Sequence, residues 1–373
     1  MGFISGMFKL GALLVLILAL LVGSLMREET NVLKKTGFFE WLDGVHIGRG
    51  QFLKGFVPAV HKGPWAFTEA DIPDLSGQTF LVTGGNVGLG YWTAHHLAAH
   101  KGKVILACRS KPRCEKAAAN LTRSTGTKVE VGLVDLASFS SIREFASKLG
   151  ARHERLDSLV LNAGVMAIPF TLTEDGTEMT FGMMHLGHFL LTKLLLPLLE
   201  SSAAAGGTPT VVSVSSNAHF SSYPEGILPS MEAINDKGRY DKFQAYGQAK
   251  LANVLYAQEL AVRLKDKGIL VNSCHPGAVD TELGRHIGAS VNRTMGPAVA
   301  QGLKDLFAGM TWTPKDAALT QVFLAVSEKI KQEKITGKYF HPIARETGTD
   351  AHAMNITLQR HLWDMSEAFV ATH

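Results

Sequence analysis

Thr79-Phe-Leu-Val-Thr83-Gly-Gly-Asn-Val-Gly-Leu-Gly90 runs from a short apolar stretch through glycines at 84, 88 and 90 into a helix-forming segment that continues to about residue 100. Strand, glycine turn and helix in this order begin a βαβ unit. Glycine lacks Cβ, so the backbone N–H groups of such a turn can approach a pyrophosphate at the positive end of the following helix. Thr83, Gly84, Asn86, Gly88, Leu89 and Gly90 are therefore candidate dinucleotide-binding residues. A tight turn that holds no ligand has the same composition, and the neighbouring segments must decide between the two.

Working outward, the pattern keeps alternating. Strands are expected at 103–108, 129–136, 158–162, 210–215 and 269–274, with helices at 111–124, 140–150, 180–200 and 243–264 between them. Residues 337–340 add an edge strand, residues 351–369 an amphipathic helix, and 283–312 a long excursion rich in Met, Leu, Ala and Gly. Repeated β then α predicts an α/β fold, a doubly wound parallel sheet of Rossmann type covered on both faces, in one domain over residues 76–373. In such sheets ligands lie at the carboxyl ends of the strands, and the residues there carry the chemistry.

Arg109 stands just past the second strand, where an acidic residue would hold the ribose hydroxyls of NAD and an arginine suits the 2′-phosphate of NADP(H). A solvated loop charge is the plainer reading of the same residue. Asp135 closes the third strand and can accept from an adenine amino group or cap the next helix. Asn162-Ala163-Gly164 closes the fourth and can line the cofactor groove, although Asn-x-Gly is also ordinary turn chemistry. Ser216 follows the fifth strand, where a hydroxyl can hold a substrate oxygen, and serines there also form turns. Tyr246-Gly-Gln-Ala-Lys250 lies within the 243–264 helix, so the phenol and the ammonium four residues apart share one face. An ammonium beside a phenol favours phenolate and brings its pKa toward the working range of a general acid/base, whereas an unremarkable surface pair has the same spacing.

With 373 residues and a net charge of +4 not gathered into any basic run, the chain carries no footprint for nucleic acid. Cys108, Cys114 and Cys274 are too few and too scattered for a disulfide framework or a zinc site, so unpaired thiols, no metal and a reducing compartment are expected. Residues 10–26 contain no charge, which makes residues 1–26 a transmembrane anchor candidate; a cleaved signal peptide is the rival. Residues 27–75 read as a linker. Arg27, Lys34, Lys35, Arg49 and Lys54 follow the span and only Lys9 precedes it, so the catalytic domain is expected on the cytosolic side of a single-pass membrane protein, in the endoplasmic reticulum.

Taken together, Thr83-Gly-x-x-x-Gly-x-Gly90, Asn162-Ala-Gly164, Ser216, Tyr246-x-x-x-Lys250 and His275-Pro-Gly277 resemble the short-chain dehydrogenase/reductase family over about residues 76–370. His185-Leu-Gly-His-Phe-Leu190, Lys250-Leu-Ala-Asn253 and Leu362-Trp-Asp-Met-Ser-Glu367 are similar to its retinol dehydrogenase-like branch. The resemblance implies that Tyr246 is the general acid/base, that Lys250 also binds the nicotinamide ribose, that Ser216 orients the substrate oxygen, and that Pro276, Gly277 and Thr281 lie along the cofactor. It departs at Met184, where the family has an asparagine whose backbone carbonyl serves a proton relay through water. The expected activity is hydride transfer between NADP(H) and a small lipophilic alcohol or carbonyl such as a retinoid, with a steroid, polyprenol or fatty aldehyde as alternatives. A membrane-bound scaffold that binds a dinucleotide without turnover is the rival of another class. A homodimer is possible on either reading.

Overall fold

The computed structural model describes residues 66–279 and 312–373. The anchor candidate, most of the linker, Thr281 and the greater part of the 283–312 excursion lie outside the described residues. Eight strands form one sheet: β1 (Thr79–Thr83), β2 (Lys103–Cys108), β3 (Val129–Leu133), β4 (Ser158–Leu161), β5 (Thr210–Val214), β6 (Leu270–Cys274), β7 (Tyr339–His341) and β8 (Arg345–Glu346). Their order is β3-β2-β1-β4-β5-β6-β7-β8, with β1 to β7 parallel. The chain therefore leaves β1 toward β2 on one side and returns to β4 on the other, and the gap between the carboxyl ends of β1 and β4 is the switch point at which such sheets take ligands.

Helices α1 (Gly88–Ala99), α2 (Lys111–Thr125) and α6 (Leu319–Val326) cover one face of the sheet. The other carries α3 (Phe139–Gly150), α4 (Met179–Ala204), α5 (Lys242–Arg263) and α7 (Ile356–Thr372). The central strands are buried from both sides: Phe80, Leu81 and Val82 have no exposed surface, which is why they read as an unbroken apolar run rather than an alternating one. Each such side chain contributes on the order of 1.5–3 kcal/mol by leaving water. Among the described residues only α4 is long and apolar enough to cross a membrane, but most of it is buried inside the domain, as befits a core helix.

Three expectations need correction. β3 stops at Leu133 rather than 136, because the carboxylate of Asp135 accepts from Ala137 N–H at 3.0 Å and turns the chain. The sheet is not wholly parallel: β8, unforeseen, pairs antiparallel with β7 through Phe340–Glu346 and His341–Arg345, and two residues are too few to leave a period. Cys108 and Cys114 are joined in a disulfide with Cα atoms 6.2 Å apart, since six residues carry the chain from the end of β2 into the first turn of α2 directly above it. Both sulfurs lie over the Leu106 carbonyl, at 3.9 and 3.6 Å, contacts that a disulfide, having no S–H, does not use as hydrogen bonds. Cys274 remains a free, buried thiol.

Candidate active site

The glycine loop is shaped for close backbone approach. Gly84 and Gly88 have φ of +65° and +56°, values that glycine adopts without strain. A Cβ on Gly84 would meet Ala163 Cα at 3.0 Å, and one on Gly90 would meet Asn162 Nδ2 and Gly84 O at 2.5 Å. Helix α1 starts after Val87 with no side-chain cap and no acidic residue in its first turn, so its free N–H groups and positive end are left for an anion. Thr83 ties this loop to β4: its hydroxyl oxygen accepts from Asn162 N–H at 2.8 Å and Ala163 N–H at 3.0 Å. The residues present thus fit a dinucleotide, with Asn86 and Leu89 half-buried along the loop.

Arg109 follows β2 as expected and stands largely exposed, 3.7 Å from Asp135. The two border a cavity of about 290 Å³ with Leu133, Val134, Ser141 and Phe145 along its wall. Asp135 does not cap the next helix, because Ser138 does so by accepting from Ser141 N–H. Its carboxylate accepts from Ala137 N–H and borders the cavity beside Arg109. Pro276 and Gly277 lie past β6, with Gly277 N–H donating to His275 Nδ1 at 3.0 Å.

Ser216, Tyr246 and Lys250 converge beside the end of β5. Asp241 caps α5 by accepting from Phe243 and Gln244 N–H, both at 2.9 Å, and so sets the rotation that turns Tyr246 and Lys250 inward. Both are almost fully buried. The Ser216 hydroxyl lies close enough to the Tyr246 phenol to act on its proton, and it caps the next turn by accepting from Ala218 N–H at 3.1 Å.

The electrostatics differ from the expectation. Burial pushes the Tyr246 phenol up to about 12, with the Ser216 hydroxyl pulling the other way. Lys250 is not what governs the phenol here: its Nζ is 5.8 Å from the Tyr246 ring centre and donates to Val214 O at 2.8 Å. Burial draws Lys250 itself down to about 8. An i,i+4 spacing fixes the face of a helix but not where a four-carbon stem ends.

Three neighbours, Asn253, Met184 and His188, make contacts that the sequence reading does not assign. Asn253 Nδ2 donates to the same Val214 carbonyl at 3.2 Å, one helical turn beyond Lys250. Met184 lies within a short π-helical stretch of α4, Gly182–Leu186, and its sulfur accepts from Val165 N–H at 3.4 Å. Its carbonyl, at the position from which the resemblance implies a relay, is 3.1 Å from His188 Nδ1. The Lys-x-x-Asn spacing was a usable signal for the first. Nothing in the sequence signals the last.

The glycine cradle at the sheet's switch point beside a half-buried Ser and a buried Tyr and Lys defines a dinucleotide-dependent oxidoreductase. The chain belongs to the short-chain dehydrogenase/reductase family: the short chain dehydrogenase model matches residues 78–228, and full-length relatives extend the match. Its likeness within the family is to retinol dehydrogenases. The chain is 40% identical over 329 residues to retinol dehydrogenase 13 of Mus musculus, covering 88% of this chain and 92% of that one. It is 40% identical over 308 residues to retinol dehydrogenase 14 of the same organism, covering 79% and 86%. Among solved structures, the Pseudomonas aeruginosa RhlG/NADP active-site complex superimposes with a TM-score of 0.56 at 27% identity, covering 72% of this chain and 95% of that one.

Proposed function

We propose that this chain transfers hydride between NADP(H) and a lipophilic alcohol or carbonyl, with retinoids as the first class to test. The observation that carries the reading is the convergence of the Ser216 hydroxyl, the buried Tyr246 phenol and the buried Lys250 ammonium at the carboxyl end of β5. Thr83, Gly84, Gly88, Gly90, Asn162, Ala163 and Gly164 hold the dinucleotide, Arg109 and Asp135 its adenosine end, and Lys250, Pro276 and Gly277 its nicotinamide end. Bound there, the cofactor supplies or takes up the hydride. Ser216 orients the substrate oxygen and Tyr246 exchanges a proton with it; a phenol kept protonated is the form that donates to a carbonyl. Val165, Met166, Met183, Met184 and Ala218 pack around Tyr246, an apolar and adaptable wall suited to a hydrocarbon chain. The retinol dehydrogenase relatives support the substrate class, and the NADP complex supports the cofactor.

Oxidation of NADPH against retinal and a panel of long-chain aldehydes, steroid ketones and polyprenals tests this reading. Turnover of none of them would favour a dinucleotide-binding scaffold, to which Met184 lends its only support. NADPH is expected to bind at least about ten-fold more tightly than NADH, because a charged contact from Arg109 to phosphate is worth roughly 1.5–3 kcal/mol. Equal dissociation constants by fluorescence titration would remove the role given to Arg109.

The same proposal places the domain on the cytosolic side of a membrane, anchored by residues 1–26. The Cys108–Cys114 disulfide removes the argument from unpaired thiols and leaves the charge distribution to carry the topology. Asn120, Asn292 and Asn355 head glycosylation acceptor sequences. Asn292 lies outside the described residues, Asn120 lies within α2, and Asn355 is exposed at the start of α7. All three should stay unmodified when the protein is made with microsomal membranes. A glycosidase-sensitive mass increase would place the domain in the lumen.

A further inference from the structure

A line of hydrogen bonds crosses the sheet directly beneath the glycine loop. On one face Thr93 of α1 donates its hydroxyl to Gln321 Oε1 of α6 at 2.8 Å, and Gln321 Nε2 donates to Asn162 Oδ1 at 3.3 Å. Asn162 Nδ2 then donates to Thr83 O at 2.9 Å. On the other face the His188 ring joins the Thr83 hydroxyl, with Nε2 at 2.9 Å from Oγ1 and Nδ1 at 3.1 Å from Met184 O. Thr93 and Gln321 have no exposed surface, nor does Thr83, and His188 has 2%.

The fixed ends set the directions in this line, with the Thr83 hydroxyl taking His188 Nε2 at 2.9 Å over the longer 3.4 Å contact to Val160 O. The Met184 carbonyl can only accept, so His188 Nδ1 carries the hydrogen and Nε2 accepts from Thr83. The Thr83 oxygen is then free to accept from the backbone of Asn162 and Ala163, as it does. The Thr83 carbonyl fixes the Asn162 amide, which in turn fixes Gln321 and Thr93. Burial keeps His188 neutral, down at about 4, so its single N–H is not contested. The bonds also have a place to act, because Asn162 Nδ2 occupies the space a Cβ on Gly90 would need. A rotated Asn162 amide would set an oxygen against the Thr83 carbonyl and push on the first turn of α1.

We propose that Gln321 and His188 are positioning residues of the cofactor cradle, holding the Asn162 side chain and the Thr83 hydroxyl in the one arrangement that leaves the glycine loop open for the dinucleotide. The inference rests on the proposed dinucleotide-dependent function and extends it to two side chains that do not reach the cleft. A site held open in advance binds without ordering its own walls.

Gln321→Met keeps the volume and removes both bonds, and Gln321→Glu makes them depend on protonation. A protonated carboxyl at 321 can donate to Asn162 and accept from Thr93; an ionised one can only accept, and opposes Asn162 Oδ1. Burial raises the pKa of such a carboxyl, bringing its titration into an accessible range. The methionine variant should bind NADPH about ten-fold more weakly, with the effect in Kd and KM rather than in kcat. The glutamate variant should match the parent near about pH 5.5 and the methionine variant near about pH 8.5. Parental affinity in Gln321→Met, equal losses in KM and kcat, or a parental pH profile in Gln321→Glu would overturn the proposal. Should the methionine variant fail to fold, the glutamate variant decides alone, since one folded protein is compared with itself across pH. A parent protein that binds neither nucleotide would end the functional reading first, and this inference with it.

Discussion

Replacing Tyr246 by phenylalanine should lower turnover by about 100- to 10,000-fold while NADPH still binds, because a positioned general acid typically contributes that much. The ring is buried against Met184 and Ala249, so phenylalanine keeps the packing and only the hydroxyl is lost. Ser216 keeps Ala218 N–H and is itself half-buried, so no orphaned buried group drives the site apart. The loss should appear in kcat and kcat/KM together, the signature of an interaction made only in the transition state. Nucleotide titration and steady-state rates on one confirmed substrate measure both halves. A variant that kept more than about half of the parental rate would show that the proton passes through another group.

Why the catalytic face was legible and its settings were not follows from what sequence patterns encode. The βα alternation, the glycines and the Tyr-Lys spacing are local, and strand ends place local motifs at one sheet edge whatever lies between them. That was enough to bring Thr83, Asn162, Ser216 and Tyr246 together in the structure. Direction and environment are not local. Lys250 has the expected place but donates to Val214 O, because a strand 36 residues earlier in the chain offers a carbonyl that no helical spacing reveals. Gln321 reaches Asn162 across 159 residues, and His188 reaches Thr83 across 105. The Cys108–Cys114 bridge failed for the opposite reason. Two cysteines six apart look scattered until the strand end and the helix start fold back on each other.

Lys250→Met should abolish useful turnover and at the same time make the protein more stable at neutral pH. Lys250 is 4% exposed, and among the described residues no carboxylate pairs with its ammonium. Among the described residues, the one group whose ionisation would favour the ammonium is the Cys274 thiol, which burial pushes up to about 12 and so keeps neutral. Keeping that ammonium charged in a dry site costs stability that an apolar chain of similar length does not. The methionine leaves no unsatisfied acceptor, since Asn253 Nδ2 still donates to Val214 O at 3.2 Å. A folded pKa of about 8, below the ordinary 10.5, means that the folded state binds fewer protons than the unfolded one between those values, so stability rises with pH across that window. The penalty is present in full below about pH 8 and fades above it. Thermal denaturation should therefore give the variant a melting temperature higher by a few degrees at pH 7, on the order of 3 °C, and a smaller advantage near pH 9.5. Activity should fall by at least about 100-fold, because the lysine is the group proposed to hold the nicotinamide ribose beside Tyr246. A variant less stable than the parent at pH 7 would mean that the ammonium is compensated in the folded protein. One that kept its turnover would remove Lys250 from the site.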